Sequence, residues 1–156
     1  MVLFGHSSGA QSALRTALLV PDRIVGVVLA GPTLVPAARN VISLTLRIIA
    51  TAHDEVPAEW PTVRHSYLAS GLLPLARLIR SAVRDRPEDD MAKLSIPVVV
   101  MTGRHDRLAP PAWAEQLARL APAPCVILSG AHNSIFPFSD EAAHALHASV
   151  EHWTTI

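Results

Sequence analysis

The sequence has a single cysteine and no excess of charge of either sign, and each shortage excludes a class of protein. Cys125 is the one cysteine among its 156 residues, so an internal disulfide cannot form. A chain without disulfides suits a reducing compartment. Met1 is followed by an apolar run rather than by a basic leader, which predicts that there is no secretory signal. We therefore expect a cytoplasmic protein.

Charge and hydropathy exclude further classes. The 13 Lys and Arg residues equal the 13 Asp and Glu residues, so we expect binding neither to nucleic acid nor to an anionic membrane. The longest apolar segment, residues 41–52, is interrupted by Arg47 and is shorter than the ~18 residues that span a bilayer. With 50% hydrophobic residues, the chain can fold around a core. Seven glycines against 13 prolines indicate turns and helix starts rather than a flexible linker.

Strand and helix patterns alternate at both ends of the chain. Residues 2–4 form a short apolar run, residues 8–20 have alanines and leucines at helical spacing, and residues 24–30 are a β-branched run. Near the other end the patterns predict strands over 96–102 and 125–129 and helices over 111–120 and 140–153. Continuous apolar strands separated by helices predict an α/β fold with a parallel sheet.

The middle of the chain, residues 33–94, has a different character. Helical patterns cover 37–52, 58–70 and 73–85, and no convincing strand interrupts them. We interpret this segment as a helical lid inserted into the α/β core; the alternative is ordinary packing of helices on the core. The chain then divides into core residues 1–32, the lid at 33–94 and core residues 95–156.

A glycine-framed serine follows the first strand. Gly5-His6-Ser7-Ser8-Gly9 fits the pattern G-x-S-x-G between a strand and a helix. Gly5 and Gly9 are expected to keep the close approach of strand and helix free of side chains, while Ser7 points above the strand end. The backbone N–H of Ser8 faces the space where an oxyanion would form. The pattern also fits a plain glycine-rich turn, and Ser8 is the other candidate nucleophile.

Two later loops supply the carboxylate and the imidazole that a serine nucleophile needs. Asp106 follows the third predicted strand and His132 follows the fourth, at the edge where parallel sheets place catalytic groups. The loop after residues 24–30 offers no carboxylate, which favours Asp106 as the acid. The alternative for Asp106 is a loop carboxylate or helix cap. His6 is not expected to be the base, because adjacent side chains diverge at such a turn.

The eight histidines raise the alternative of a metal site. His144 and His147 have i, i+3 spacing on a predicted helix, which suits a metal ion. They are accompanied by neither an H-E-x-x-H pattern nor a second cysteine. We therefore expect no metal and no cofactor, and we interpret Cys125 as a thiol packed in a core strand.

Together, three motifs resemble the α/β-hydrolase superfamily. They are residues 5–9, 103–110 and 130–132, and they follow the order serine, acid, histidine that is typical of that superfamily. Residues 29–33 and 36–39 are also similar to the start of the helical lid in its esterase-like and C–C-bond-hydrolase-like members. The resemblance covers nearly the whole chain, and it implies a triad of Ser7, Asp106 and His132.

The sequence differs from the superfamily at its start. Members carry several strands before the serine turn, and loops of those strands donate a second N–H to the oxyanion. This sequence begins inside the strand that leads to the turn, so the resemblance implies the C-terminal part of an α/β-hydrolase fold. We expect that strand to form an exposed sheet edge, through which the chain self-associates.

The resemblance implies a serine hydrolase that cleaves an ester or related acyl bond of a small hydrophobic substrate. Alternatives are hydrolysis of a carbon–carbon bond and a cofactor-free haloperoxidase-like activity, both of which use the same triad. Haloalkane dehalogenases and epoxide hydrolases of this fold use an aspartate nucleophile, so Ser7 argues against them. The non-enzymatic alternative is an inactive fragment that lacks one half of the sheet.

Overall fold

A parallel sheet of four strands forms the centre of the fold. The computed structural model describes residues 1–154, with their side chains except at positions 59, 62, 67, 152 and 154. The strands lie in the order β1-β2-β3-β4, and each neighbouring pair is parallel. They are β1 (Val2–His6), β2 (Gly26–Ala30), β3 (Val98–Gly103) and β4 (Cys125–Leu128).

Helices cover both faces of this sheet. In chain order, the helices of the described residues are α1 (Ser8–Leu19), α2 (Val41–Asp54), α3 (Trp60–Ser70), α4 (Leu72–Arg84), α5 (Pro87–Met91), α6 (Pro111–Leu120) and α7 (Ser139–Val150). Short 3₁₀ turns occupy Pro21–Arg23, Pro36–Ala38, Pro57–Glu59 and Glu151–Thr154. Helices α1, α5 and α6 pack on one face of the sheet, and α7 packs on the other. The predicted α/β class with a parallel sheet is confirmed.

The two inner strands are buried because both of their faces are covered. Every residue of β2 and β3 is buried. Since successive side chains of a strand point to opposite faces, Val27 and Leu29 join the cluster of α1 and α6, whereas Val28 and Ala30 join that of α7 and Trp153. Burial on both faces explains why these strands are continuous apolar runs in the sequence.

Parallel pairing brings the carboxyl ends of all four strands to one edge. The register pairs His6 with Ala30 and Gly103 with Leu128. Ser7 follows β1 directly, and the loops after β2, β3 and β4 leave the sheet beside it. Side chains that are far apart in the chain therefore meet at this edge.

The helical segment 33–94 contains no strand, as expected, but its helices differ in detail from the prediction. Instead of one helix over 37–52, a 3₁₀ turn at Pro36–Ala38 precedes α2. Helix α2 begins at Val41 because the Asn40 side chain accepts a hydrogen bond from the backbone N–H of Ser43 at 2.8 Å. The short helix α5 was not expected. No helix within residues 1–154 is both long and apolar enough to cross a bilayer.

Candidate active site

Ser7 lies on a sharp turn between β1 and α1. Its backbone has φ 55° and ψ −119°, a combination that non-glycine residues rarely adopt. The turn is held by two backbone hydrogen bonds, from Ser7 N to the Ala30 oxygen at 2.9 Å and from Ala10 N to the Ser7 oxygen at 3.0 Å. A strained serine that is fixed from both sides matches the predicted strand–turn–helix geometry.

The two glycines of the motif are not equivalent. A Cβ atom on Gly5 would lie 2.4 Å from the carbonyl oxygen of Gly9, so β1 and α1 approach too closely for any side chain there. A Cβ atom on Gly9 would meet no atom within 4 Å. The steric requirement that the sequence predicts for both positions therefore holds at Gly5. At Gly9 the prediction is wrong, because a Cβ atom there would enter open space.

The predicted serine, histidine and aspartate form a continuous hydrogen-bonded chain. The Ser7 Oγ lies 2.9 Å from His132 Nε2, and His132 Nδ1 lies 2.8 Å from Asp106 Oδ2. These three side chains come from the loops after β1, β4 and β3. Both nitrogens of one imidazole are engaged, so a proton can pass from the hydroxyl to the ring while the carboxylate fixes the tautomer.

Asp106 is buried, and the surrounding backbone satisfies its second oxygen. Oδ1 accepts hydrogen bonds from the N–H groups of Leu108 and Ala109, at 2.8 and 2.9 Å. Its side chain is fully shielded from solvent, whereas that of His132 keeps 11% exposure. This loop orients Oδ2 toward the imidazole. This burial and the pairing with His132 favour Asp106 as the acid over the alternative of a plain loop carboxylate or helix cap.

The pKa values of the acid and the base depart from their ordinary values in opposite directions. Burial acts to raise the pKa of Asp106, but His132 and the two backbone N–H groups outweigh it, so the pKa lies below its usual range. Burial acts to lower the pKa of His132, but the Asp106 carboxylate outweighs it, so the pKa lies above its usual range. An ionised acid thus stabilises the protonated imidazole that forms after proton transfer.

The backbone N–H of Ser8 lies at the start of a helix. Ser8 is the first residue of α1, where N–H groups have no acceptor within the helix and the helix dipole favours negative charge. This position directly follows Ser7. An oxyanion formed on a carbonyl attacked by Ser7 would therefore meet the positive end of α1.

Sequence reasoning missed Gly31, which makes room for the acid and base. Gly31 has φ +51°, and a Cβ atom there would lie 3.0 Å from His132 Cε1 and 3.6 Å from Asp106 Oδ2. Any side chain would press on the contact between these two residues. The signal in the sequence is a glycine directly after β2, at the edge where the other strands place Ser7, Asp106 and His132.

The end of α2 contacts both the acid loop and the base loop, which the sequence did not reveal. Thr51 Oγ1 accepts a hydrogen bond from Arg107 N at 3.3 Å, and the Arg107 guanidinium lies 3.5 Å from the Asp54 carboxylate. Glu55, just after α2, accepts a hydrogen bond from the N–H of Asn133 at 3.0 Å. The Glu55 charge also acts to raise the pKa of His132.

The described residues provide no evidence for a metal site or for a cysteine nucleophile. Among the side chains that the structure describes, which exclude those of residues 59 and 152, no three His, Cys, Asp or Glu residues cluster as metal ligands do. Burial raises the pKa of Cys125 to about 11, so the thiol is protonated at neutral pH and is a poor nucleophile. The expectation that the protein uses no metal or cofactor stays a prediction.

Comparisons with known proteins are consistent with this fold. Residues 2–148 match the sequence profile of the alpha/beta hydrolase family. The structure resembles a thermophilic esterase, with a TM-score of 0.76 and 19% identity over 97% of this chain and 66% of that one. It also resembles BpoC of Mycobacterium tuberculosis H37Rv, provisionally named a non-heme bromoperoxidase, with a TM-score of 0.72 and 14% identity over 97% and 67% of the two chains.

A third similar structure is a mutant of the meta-cleavage product hydrolase CumD of Pseudomonas fluorescens IP01, complexed with acetates. The TM-score is 0.64, with 15% identity over 95% of this chain and 63% of that one. The chain therefore spans about two thirds of the length of these three structures (66%, 67% and 63%). At such low identity the similarity shows the fold alone. A search of curated protein sequences finds no significant match.

Proposed function

Because the chain belongs to the α/β-hydrolase family, we propose that it is a serine hydrolase that cleaves an ester or related acyl bond. The observation that carries the proposal is the hydrogen-bonded chain from Ser7 through His132 to Asp106, with distances of 2.9 and 2.8 Å. The strained serine at the start of a helix supports it further. The same arrangement serves acyl transfer on several unrelated folds.

In the proposed mechanism His132 takes the proton of Ser7 as the hydroxyl attacks the carbonyl carbon. The Asp106 carboxylate holds the ring and stabilises its charged form. The Ser8 N–H donates to the oxyanion of the tetrahedral intermediate. The protonated His132 then gives its proton to the leaving alcohol, which leaves an acyl group on Ser7. Water activated by His132 releases the acid and restores the serine.

We further propose that residues 33–94 act as a lid over the site and that the substrate is small and hydrophobic. The support for the lid is that Thr51 and Glu55, at the end of α2, reach the loops that hold the acid and the base. The support for the substrate is that the same helix exposes large apolar side chains, among them Val41, Ile42 and Leu46. The cytoplasmic location expected from the lone cysteine stays a proposal.

A panel of p-nitrophenyl esters with acyl chains of increasing length tests this function. We expect turnover of short and medium chains, and an acyl adduct on Ser7 in mass spectra of the quenched reaction. Ser7→Ala is the matched control and should remove both signals. Turnover that persists in Ser7→Ala, or the absence of any adduct on the parent chain, would contradict the proposal.

The same panel should include substrates of the two alternative activities. A dienoic ketone from ring cleavage tests carbon–carbon bond hydrolysis, and a halogenation assay with peroxide tests the haloperoxidase-like alternative. These alternatives are retained because the similar structures include a meta-cleavage product hydrolase and a protein provisionally named a bromoperoxidase. A folded chain with none of these activities would favour the inactive fragment.

A further inference from the structure

His6, the residue before the candidate nucleophile, reaches the loop that carries the candidate base. Its Nε2 lies 2.9 Å from the carbonyl oxygen of His132, although the two residues are 126 positions apart in the chain. The centroids of the two imidazole rings are 5.1 Å apart with a tilt of 42°. The ring of His6 also meets Phe136 edge-on, at 5.7 Å and 85°. His6 thus touches the base loop through one hydrogen bond and two ring contacts.

The hydrogen bond defines the protonation form of His6. A carbonyl oxygen only accepts, so Nε2 must carry the proton that is donated. Burial lowers the pKa of His6, and repulsion from His132 lowers it further, while the carbonyl hydrogen bond and Asp106 only partly oppose them. His6 is therefore neutral at neutral pH, as the Nε2–H tautomer. In this form it places no positive charge beside the base.

The hydrogen bond from His6 is accepted by the peptide unit that joins His132 to Asn133. The carbonyl oxygen of this unit accepts from His6, and its N–H, which belongs to Asn133, donates to Glu55 at 3.0 Å. A peptide unit is planar, so its orientation is set by the soft dihedrals on either side of it. Fixing both polar atoms of the unit limits how far the His132 backbone, and hence its ring, can turn.

On the basis of the proposed function, we propose that His6 is a positioning residue: its Nε2–H holds the carbonyl of His132 and keeps the imidazole within reach of the Ser7 hydroxyl. Because His6 and Ser7 are adjacent, the bond ties the nucleophile turn directly to the base loop. A misplacement of ~1 Å at a reacting group can cost about 10²-fold in rate. One hydrogen bond at this place therefore has a kinetic effect as well as a structural one.

Two substitutions separate the hydrogen bond from the bulk of the ring. In His6→Gln the side-chain amide nitrogen occupies nearly the position of Nε2 and still donates, whereas His6→Leu fills similar space and cannot donate. For each variant we would measure the rate of fluorophosphonate labelling across pH, the melting temperature, and the NMR signal of the proton between His132 Nδ1 and Asp106. We expect His6→Leu to label about three- to tenfold more slowly and to lose intensity in that signal. His6→Gln should label within about twofold of the parent chain.

Several outcomes would overturn the proposal. One is a His6→Leu variant that labels at the parent rate with an unchanged His132 signal. If His6→Leu does not fold, a folded His6→Gln variant that still labels tenfold more slowly is equally damaging. Nitrogen NMR of the unsubstituted chain needs neither variants nor activity: the Nε2–H tautomer of His6 supports the proposal, and the Nδ1–H tautomer refutes it. A chain that is not labelled at Ser7 at all contradicts the proposed function, while the tautomer still decides the role of His6.

Discussion

Ser7 occupies a backbone conformation that stores strain at the point where the nucleophile must stand. Backbone angles of this kind in a non-glycine residue cost of the order of 1–3 kcal/mol. The strain is offset by the surrounding sheet and helix, which hold the turn through Ala30 and Ala10. Glycine adopts such angles without the penalty. The strain can therefore be measured apart from the chemistry.

We predict that Ser7→Gly is more stable than Ser7→Ala by roughly 1 kcal/mol, because glycine relieves the strain but loses more chain entropy on folding. Both variants should lose fluorophosphonate labelling, since neither has a hydroxyl. Urea denaturation followed by circular dichroism measures the difference. If Ser7→Gly were instead less stable than Ser7→Ala by about 0.5–1 kcal/mol, the entropy cost of glycine alone, the turn would not be strained.

A second prediction separates the two motif glycines. Gly5→Ala should destabilise the chain by about 1–3 kcal/mol, because its Cβ would lie 2.4 Å from the Gly9 oxygen and the backbone must shift. Gly9→Ala has free space and a position in α1, so it should stabilise the chain by about 0.5–1 kcal/mol. Melting temperatures of the two variants measure both effects. A melting temperature that falls equally in both would contradict the observed asymmetry.

At the scale of single residues, the candidate triad could be predicted from the sequence, whereas the contacts that position its loops could not. Ser7, Asp106 and His132 stand in local patterns at strand ends, and such patterns are visible in a single sequence. The contacts of His6 and Glu55 join residues 126 and 78 positions apart and depend on how the loops pack. No local pattern marks them.

At the scale of elements, the contact between α2 and the base loop links the helical segment to the electrostatics of the site. Glu55 acts to raise the pKa of His132, in the same direction as Asp106. A raised pKa means that the imidazole becomes neutral, and so able to accept a proton, only at higher pH. The helical segment therefore contributes to the lower pH limit of the proposed reaction.

We predict that Glu55→Gln moves the acid limb of the labelling rate to lower pH. The substitution keeps an oxygen that accepts from Asn133 but removes the negative charge, so the pKa of His132 should fall. Asp54→Asn is the matched control: it removes the same charge one residue away, from a side chain that pairs with Arg107. Rate–pH profiles of both variants measure the shift. The attribution of this effect to the Glu55 charge would be contradicted if the acid limb moved to higher pH in Glu55→Gln. It would also be contradicted if the limb moved equally far in Asp54→Asn.

The observed helix boundaries show which ends could be predicted from the local sequence. Helix α6 begins at Pro111 and ends at Leu120, as predicted, because proline starts the helix and apolar spacing marks its buried face. The predicted helix over 37–52 was wrong at its start, because the Asn40 side chain caps a helix that begins only at Val41. The final predicted helix, 140–153, ends at Val150 and continues as a 3₁₀ turn. Tertiary contacts, such as the packing of Trp153 beside Gly26, cannot be predicted from the periodicity of apolar residues.

At the scale of the whole molecule, β1 lies at one edge of the sheet and exposes apolar side chains. Val2 and Phe4 are 46% and 50% exposed, in contrast to the fully buried β2 and β3. An edge strand offers unpaired backbone groups to a second strand. This is the basis for proposing that the chain self-associates through β1.

We predict that sedimentation of the chain shows concentration-dependent association, and that Phe4→Lys shifts it toward the monomer. A charge on the edge strand is a known barrier to edge pairing. Leu19→Lys is the control, because it removes an equally apolar and still more exposed side chain, at 80% exposure, from the end of α1. A monomer at every concentration, or association that survives Phe4→Lys, would refute pairing through β1.

Covalent labelling with a fluorophosphonate, read out by intact-mass and peptide mass spectrometry, tests most directly whether Ser7, His132 and Asp106 act as one nucleophilic unit. We predict a single adduct on Ser7, whose rate of formation rises with pH as His132 loses its proton and which is lost in Ser7→Ala and strongly slowed in His132→Ala. An adduct elsewhere, one that persists without Ser7, or none on the folded chain would contradict that role.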